Sequence, residues 1–326
     1  MPESLLFDSL SVIIPTYNRE TVLAKALEGY LSQTSPHFIH ELLVIDDGST
    51  DGTESMVRGF ISRSIFPIRY LRQPNKGPAA ARNLGIREAE SPLLLFTDSD
   101  IIPDRELVKR HVESHRSNPQ ITAAFLGYVT WPPEMKVSPF MRWYGESRLF
   151  FYDQLRPKCE ASFHYFYTCN LSLKKEFVRS CGQFDEKFKT AAFEDIELGH
   201  RLSKRGLRLW YNAEATGYHY QIFSFKDACR KNLGNSMASE LFYGTEAGRR
   251  ILFERQEKRS RIGHPIARGL AAAIALVLSP LRLLVDSSLP LPALVYQLFF
   301  WDSTRQRRKR SQSPAPTAST GTTVSS

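Results

Sequence analysis

Cysteine is scarce and unpatterned. The chain of 326 residues holds four, Cys159, Cys169, Cys181 and Cys229, with no CxxC pair among them. Neither a disulfide framework nor a zinc knuckle organises it. No secretion signal opens the sequence, so reduced thiols in a cytosolic setting are expected, each cysteine serving as a small buried hydrophobe. Glycine is missing from "IIPTYNRE" (13–20), which closes the first apolar run, and that excludes the glycine-rich phosphate loop of many nucleotide enzymes. Residues 1–248 carry no excess of either charge, since 30 Lys and Arg balance 30 Asp and Glu. A neutral domain binds a phosphate backbone poorly, which excludes nucleic acid as a partner. Long apolar runs are also missing. The most apolar stretch, 269–301, is divided by Arg282 and Asp286 into uncharged runs of 13 and 15 residues, each short of the roughly 20 that cross a bilayer.

What is present suits a sizeable core: 42% of residues are hydrophobic and 12% aromatic. Strand-like runs "LSVII" (10–14), "ELLVI" (41–45), "IRYLR" (68–72) and "LLLFT" (93–97) alternate with helical patterns at 20–33, 53–62 and 77–90. This order predicts an α/β fold, a Rossmann-like, mostly parallel sheet flanked by helices with right-handed crossovers. Such sheets bind ligands beyond the carboxyl ends of their strands. There the polar residues collect: "PTYNR" after the first strand, Asp46 and Asp47 after the second, Asp98 and Asp100 after the fourth. Extended backbone alternates with period two, so Asp98 and Asp100 are expected on one side and Ser99 on the other. Two like charges held together call for a cation, and oxygen ligands suit Mg²⁺ or Mn²⁺ completed by substrate phosphates. Taken singly, Asp-x-Asp and "DDGSTDG" are also ordinary turns.

In order and spacing, "SVIIPTYNR" (11–19), "LLVIDDGSTDGT" (42–53), "NKGPAAARNLG" (75–85), "LLLFTDSDIIP" (93–103) and "FEDIELGHRL" (193–202) resemble family 2 glycosyltransferases of the GT-A fold. The resemblance covers residues 8–222. It implies a metal-dependent transferase in which Asp98 and Asp100 hold the ion against the diphosphate of a nucleotide-sugar, with a UDP-sugar as the expected donor. Pro15, Thr16, Tyr17, Asp46, Asp47 and Ser99 would join Asp98 in binding that donor, and His219 would be a third metal ligand. Asp195 would be the base that accepts the acceptor's proton, with Glu194 its immediate rival, because adjacent helical residues point about 100° apart. Arg201 is open to two readings, a partner for the diphosphate or a solvated helix residue. The family implies inversion, and the absence of Gln-x-x-Arg-Trp favours transfer of one sugar over processive synthesis.

These readings divide the chain into a nucleotide-sugar-binding half (1–125), an acceptor-binding and catalytic half of the same domain (126–248), a membrane-associating segment (249–310) and a disordered tail (311–326). Residues 249–326 hold 13 basic against 4 acidic residues. Basic flanks on both sides of the apolar stretch, including "RQRRKR" (305–310), point to a helical hairpin or interfacial anchor on an anionic membrane surface at its cytosolic face. Buried helices in a soluble protein are the alternative, and a separable catalytic domain before about Pro265 is expected. The acceptor would be a lipid-linked or surface glycan. Two rival functions stand beside this one: a nucleotidylyltransferase, disfavoured by the missing glycine loop, and a non-catalytic nucleotide-sugar-binding protein, disfavoured by the joint presence of Asp98, Asp100 and Asp195.

Overall fold

The computed structural model describes residues 7–145, 149, 152–260, 281, 284–287 and 291–299. Its first part is the expected alternation: β1 (Leu10–Thr16), α1 (Glu20–Leu31), β2 (Ile39–Asp46), α2 (Thr53–Ile61), β3 (Ile68–Arg72), α3 (Pro78–Glu88) and β4 (Leu93–Thr97). The central runs of β1, β2 and β4 (12–14, 42–45 and 93–96) are continuously apolar because helices cover both faces of the sheet. On one face Val12, Ile14, Leu42, Val44 and Leu95 pack with Leu23, Leu27 and Tyr30 of α1 and Val57 and Phe60 of α2. On the other, Ile13, Leu43, Ile45, Leu94 and Phe96 meet Ala79, Ala81 and Ile86 of α3. Helix α3 lies close to β1: a methyl group at Gly85 would come within 2.5 Å of Ile13 Cγ2.

The chain continues through β5 (Ile101–Pro103), α4 (Leu107–Ser117), β6 (Ala123–Thr130), α5 (Pro139–Tyr144), β7 (Glu160–Ala161), β8 (Asn170–Lys174), α6 (Lys175–Ser180), α7 (Glu194–Ser203) and β9 (Arg208–His219). One sheet runs β3-β2-β1-β4-β8-β6-β9-β5, with β7 on β9. The first four strands are parallel, whereas β8 runs antiparallel to both β4 and β6. The boundary drawn at 125/126 therefore falls inside β6, and both halves share one sheet.

The path of β9 decides where its end arrives. Its register with β6 jumps between Gly127↔Asn212 and Tyr128↔Thr216, a bulge that the Asn170 amide holds by donating to Tyr128 O at 3.1 Å and Ala215 O at 2.8 Å. Beyond it β9 pairs with β5, His219 opposite Ile101. Behind Asn170 lies a buried relay. His111 contacts Asn170 Oδ1 through Nε2 (2.9 Å) and Ser172 Oγ through Nδ1 (2.8 Å), and His115 Nε2 reaches the same Ser172 Oγ (2.9 Å). One proton arrangement satisfies all three contacts, with both imidazoles neutral and protonated on Nε2.

Three helices follow, α8 (Phe225–Gly234), α9 (Ser236–Gly244) and α10 (Glu246–Ser260), so the compositional boundary at 248 falls inside α10. Residues 293–299 are helical. Val285, Val295, Tyr296 and Phe299 are buried with Phe140 and Tyr144 of α5 and Ala228 of α8, and Phe225 N–H donates to Asp286 Oδ1 at 2.7 Å. This part of the stretch expected to associate with a membrane packs on protein. The rest of that stretch, with Arg282, "RQRRKR" and the tail, lies outside the described residues. Among the described residues no helix is long and apolar enough to cross a membrane.

Candidate active site

The loops at the carboxyl ends of β1 and β2 are cross-braced. Asn18, at φ 51°, donates its N–H to Ser49 Oγ at 2.9 Å and accepts from Thr50 N–H at 2.8 Å. Asp46 is fully buried and accepts from Ser49 N–H at 2.7 Å and from the Tyr70 hydroxyl. Asp47 accepts from Gln73 Nε2 (2.7 Å), Lys76 N–H (2.8 Å) and Gly77 N–H (2.8 Å). Both carboxylates are thus bonded within the protein, by the loop that carries them, β3 and the turn after it. Gly77 starts α3 at φ +94°, where a methyl would sit 2.8 Å from Lys189 O. Pro15 is half-buried, the Thr16 hydroxyl is buried without a partner among the described residues, and Tyr17 is exposed at the rim.

The Asp98–Asp100 stretch corrects one expectation. β4 ends at Thr97, and residues 98–100 form a turn closed by Ile101 N–H to Asp98 O at 3.1 Å. Period-two alternation does not apply there, and the two carboxylates take different partners. Asp98 Oδ1 accepts from Arg82 Nη2 at 2.8 Å, while its side chain is 38% exposed to the cleft. Asp100 is buried with Ser99, its Oδ2 lying 3.6 Å from His219 Nε2 and 3.8 Å from Arg19 Nη1. Burial alone would raise the Asp100 pKa, but His219, Arg19 and Lys231 together hold it below the ordinary value. A carboxylate and an imidazole 3.6 Å apart have the spacing of two ligands sharing one ion at about 2.1 Å each. Oxygen and nitrogen donors of this kind fit Mn²⁺ or Mg²⁺. Among the described residues, the three acidic or imidazole groups that converge within 4.8 Å are His40, Glu41 and Glu90. There Glu41 is already taken up by Ser11, Arg69 and Glu90 N–H.

Sequence reasoning passed over Arg82. It is buried and spans two carboxylates, Asp98 at 2.8 Å and Glu194 at 2.8 Å. Its signal was the lone cation in the small-residue helix "GPAAARNLG". Helix α7 begins after Phe193, whose φ of 71° lies in the left-handed region and whose ring stacks on Phe242 at 4.8 Å. This entry turns Glu194 inward to Arg82 and leaves Asp195 half-buried at the cleft. Burial first, then Glu194 and Asp98, raise the Asp195 pKa to about 7 against the opposing pull of Arg82. Arg201 is turned away: it binds Glu197 at 2.8 Å and the carbonyls of Cys181 and Gln183.

Asp98, Glu194, Asp195, Arg82 and His219 share one cleft of about 520 Å³, whose further wall is contributed by α8 and α9. Pro15, Thr16, Tyr17, Asp46, Asp47 and Asp100 are not among its lining residues. The profile described as Glycosyl transferase family 2 matches residues 11–179. The chain belongs to this family. As a family 2 member it is 32% identical over 232 residues to validoxylamine A glucosyltransferase of Streptomyces hygroscopicus subsp. limoneus, covering 64% of the chain and 51% of that protein. It is 28% identical over 248 residues to chondroitin synthase of Escherichia coli, covering 67% and 36%. The match thus spans about half or less of these relatives' own length. Among solved structures it resembles the mannosyltransferase PcManGT of Pyrobaculum calidifontis in complex with GDP-Man and Mn²⁺ (TM-score 0.58, 17% identity, 96% of this chain and 90% of that one). It also resembles S. aureus TarS 1–349 in complex with UDP-GlcNAc (TM-score 0.51, 19% identity, 93% and 92%). The GT-A fold expected from the sequence is the fold observed.

Proposed function

We propose that this family 2 member transfers a single sugar, with inversion, from a nucleotide-sugar to a hydroxyl of a glycan or lipid-linked acceptor. The observation that carries the reading is the placement of Asp195, a carboxylate with a pKa near neutrality in the cleft that also holds Asp98 and His219. A base poised there accepts the acceptor proton as the acceptor oxygen bonds to the anomeric carbon and the bond from that carbon to the diphosphate oxygen breaks. Asp98, Asp100 and His219 would hold the divalent ion, which supplies charge neutralisation for the departing diphosphate. Arg82 fixes Asp98, and Glu194 is the counter-charge of Arg82 rather than the base. The Asp46 and Asp47 loops would form the nucleoside end of the pocket, with Pro15, Thr16 and Tyr17 at its edge and Ser99 beneath it. GDP-Man and UDP-GlcNAc in the two similar structures leave both guanosine and uridine donors in play, and we favour a UDP-sugar.

The basic excess after residue 248 supports contact with anionic lipid at the cytosolic membrane face. The test incubates the full chain with a panel of UDP- and GDP-sugars and Mn²⁺. One donor should be hydrolysed slowly and raise the melting temperature. Asp195→Asn should lose about two to four decades of turnover with donor affinity retained. Loss in Glu194→Gln with none in Asp195→Asn would reverse the assignment. Flotation with vesicles containing anionic lipid decides the membrane part.

A further inference from the structure

The loop that joins β9 to α8, residues 220–224, is pinned at both ends. At one end Tyr220 N–H donates to Asp100 O at 2.8 Å, which ties the chain leaving His219 to the turn that carries Asp98 and Asp100. At the other, Phe225 N–H donates at 2.7 Å to Oδ1 of Asp286, an exposed residue of the C-terminal segment. Between these points the loop turns Ile222 out to solvent and buries Phe223. The Phe223 ring meets the His219 imidazole at 5.8 Å, with 23° between the two planes. Trp131 completes the group, 5.5 Å from His219 and 6.2 Å from Phe223. From Phe223, ring contacts continue to Tyr144 of α5 at 5.6 Å, from Tyr144 to Phe140 at 5.7 Å, and from Phe140 to Tyr296 at 5.9 Å. All four of these rings are buried.

Pairing with β5 fixes the backbone of His219 but not its ring. The last torsion of a histidine side chain is broad, so the plane of the imidazole is set by what packs on it. Ion–ligand distances hold to within about 0.2 Å, and a small tilt of the ring is therefore felt at the ion. Close-packed side chains pass a displacement on because no free space absorbs it. Resting on the reading of His219 as a ligand of the ion, we infer that Asp286 and Tyr296 of the C-terminal segment are positioning residues for the ion site, setting the His219 imidazole against Asp100 by way of Phe223.

The test counts free Mn²⁺ by electron paramagnetic resonance in titrations of the full chain with UDP present. Phe223→Leu should weaken Mn²⁺ binding by about tenfold, and Tyr296→Leu and Asp286→Ala by about threefold each. Tyr296→Phe, which keeps the ring, should bind as wild type does. In a double-mutant cycle Tyr296→Leu should add little to Phe223→Leu, because Tyr296 acts through Phe223. Val57→Ala, a core truncation in α2, controls for lost stability and should leave Mn²⁺ affinity unchanged. Unchanged affinity in both Tyr296→Leu and Asp286→Ala, or an equal loss in Val57→Ala, overturns the inference. The His219 ring resonance of protein labelled with ¹⁵N-histidine, assigned by its loss in His219→Gln, reads the same arrangement without metal. It should move in Tyr296→Leu and stay in Tyr296→Phe. A stationary resonance in Tyr296→Leu overturns the inference even where wild type binds no Mn²⁺, an outcome that by itself sinks only the reading of His219 as a ligand.

Discussion

Arg82 and Asp195 show what single residues do in the cleft. Arg82 neutralises Glu194, which is buried and whose Oε2 has no partner among the described residues. Arg82→Met should therefore destabilise the fold by about 3–5 kcal/mol, because it strands a buried charge. Adding Glu194→Gln should recover much of that loss, and chemical denaturation of the single and double variants measures both. Asp195 runs the other way. Its folded pKa of about 7 stands above the reference of 3.8, so the folded state binds more protons between those values. The stability it contributes below about pH 4 is lost as pH rises through about 7. Asp195→Asn should then match wild type at pH 4 and exceed it at pH 8 by roughly 1–2 kcal/mol, a shift discounted because the half-buried carboxylate borders the open cleft. Turnover should fall as pH drops below about 7, since the base must be unprotonated. The gathering of Asp98, Asp195 and His219 in one cleft agrees with the motifs that resemble the family, which end a strand, open a helix and close the last strand. Arg82 was not legible in the sequence, because its role depends on how closely α3 lies on β1. The internal bonding of Asp46 and Asp47 was hidden for a similar reason: Asp46 is held in part by Tyr70 of β3, and the partners of Asp47 come from the turn at Gln73, Lys76 and Gly77.

Among the elements, the strands and helices of residues 10–97 were legible because buried parallel strands read as continuous apolar runs and their helices carry a helical period. The bulge of β9 was not. "NAEATG" (212–217) reads as neither strand nor turn, and it is held by Asn170 from a different strand and by Asn212, which bonds to α4 and to Glu214 N–H. That bulge carries His219 to Asp100. Asn170→Ala leaves two carbonyls and the His111 donor uncompensated, and should cost about 2–4 kcal/mol. It should also weaken Mn²⁺-dependent nucleotide binding, measured by calorimetry, although Asn170 is absent from the lining of the cleft. Helix α7 has a comparable dependence on α9, since the left-handed Phe193 is held by its stack on Phe242.

The whole molecule should be sensitive to acid through the relay behind β8. Burial lowers the His111 pKa to about 4 and that of His115 well below its ordinary value. The unfolded chain then binds more protons from about pH 6.5 down to 4, so stability falls across that window as pH falls, by on the order of 3 kcal/mol from His111 alone. Urea unfolding at pH 7 and pH 4.5 should show the drop, and His111→Gln should flatten it. The C-terminal packing has its own consequence. Phe299 is fully buried with Phe140 and Tyr296, and Phe299→Ala should cost about 3–5 kcal/mol. Truncation after Pro265 should expose the apolar face of α5 and α8 and bring aggregation, visible in light scattering. Across an alignment of relatives the same contact should appear as correlated replacement. Proteins that end before the position of residue 285 should carry polar side chains where this chain has Phe140, Tyr144 and Ala228, and proteins that keep the extension should keep all three apolar.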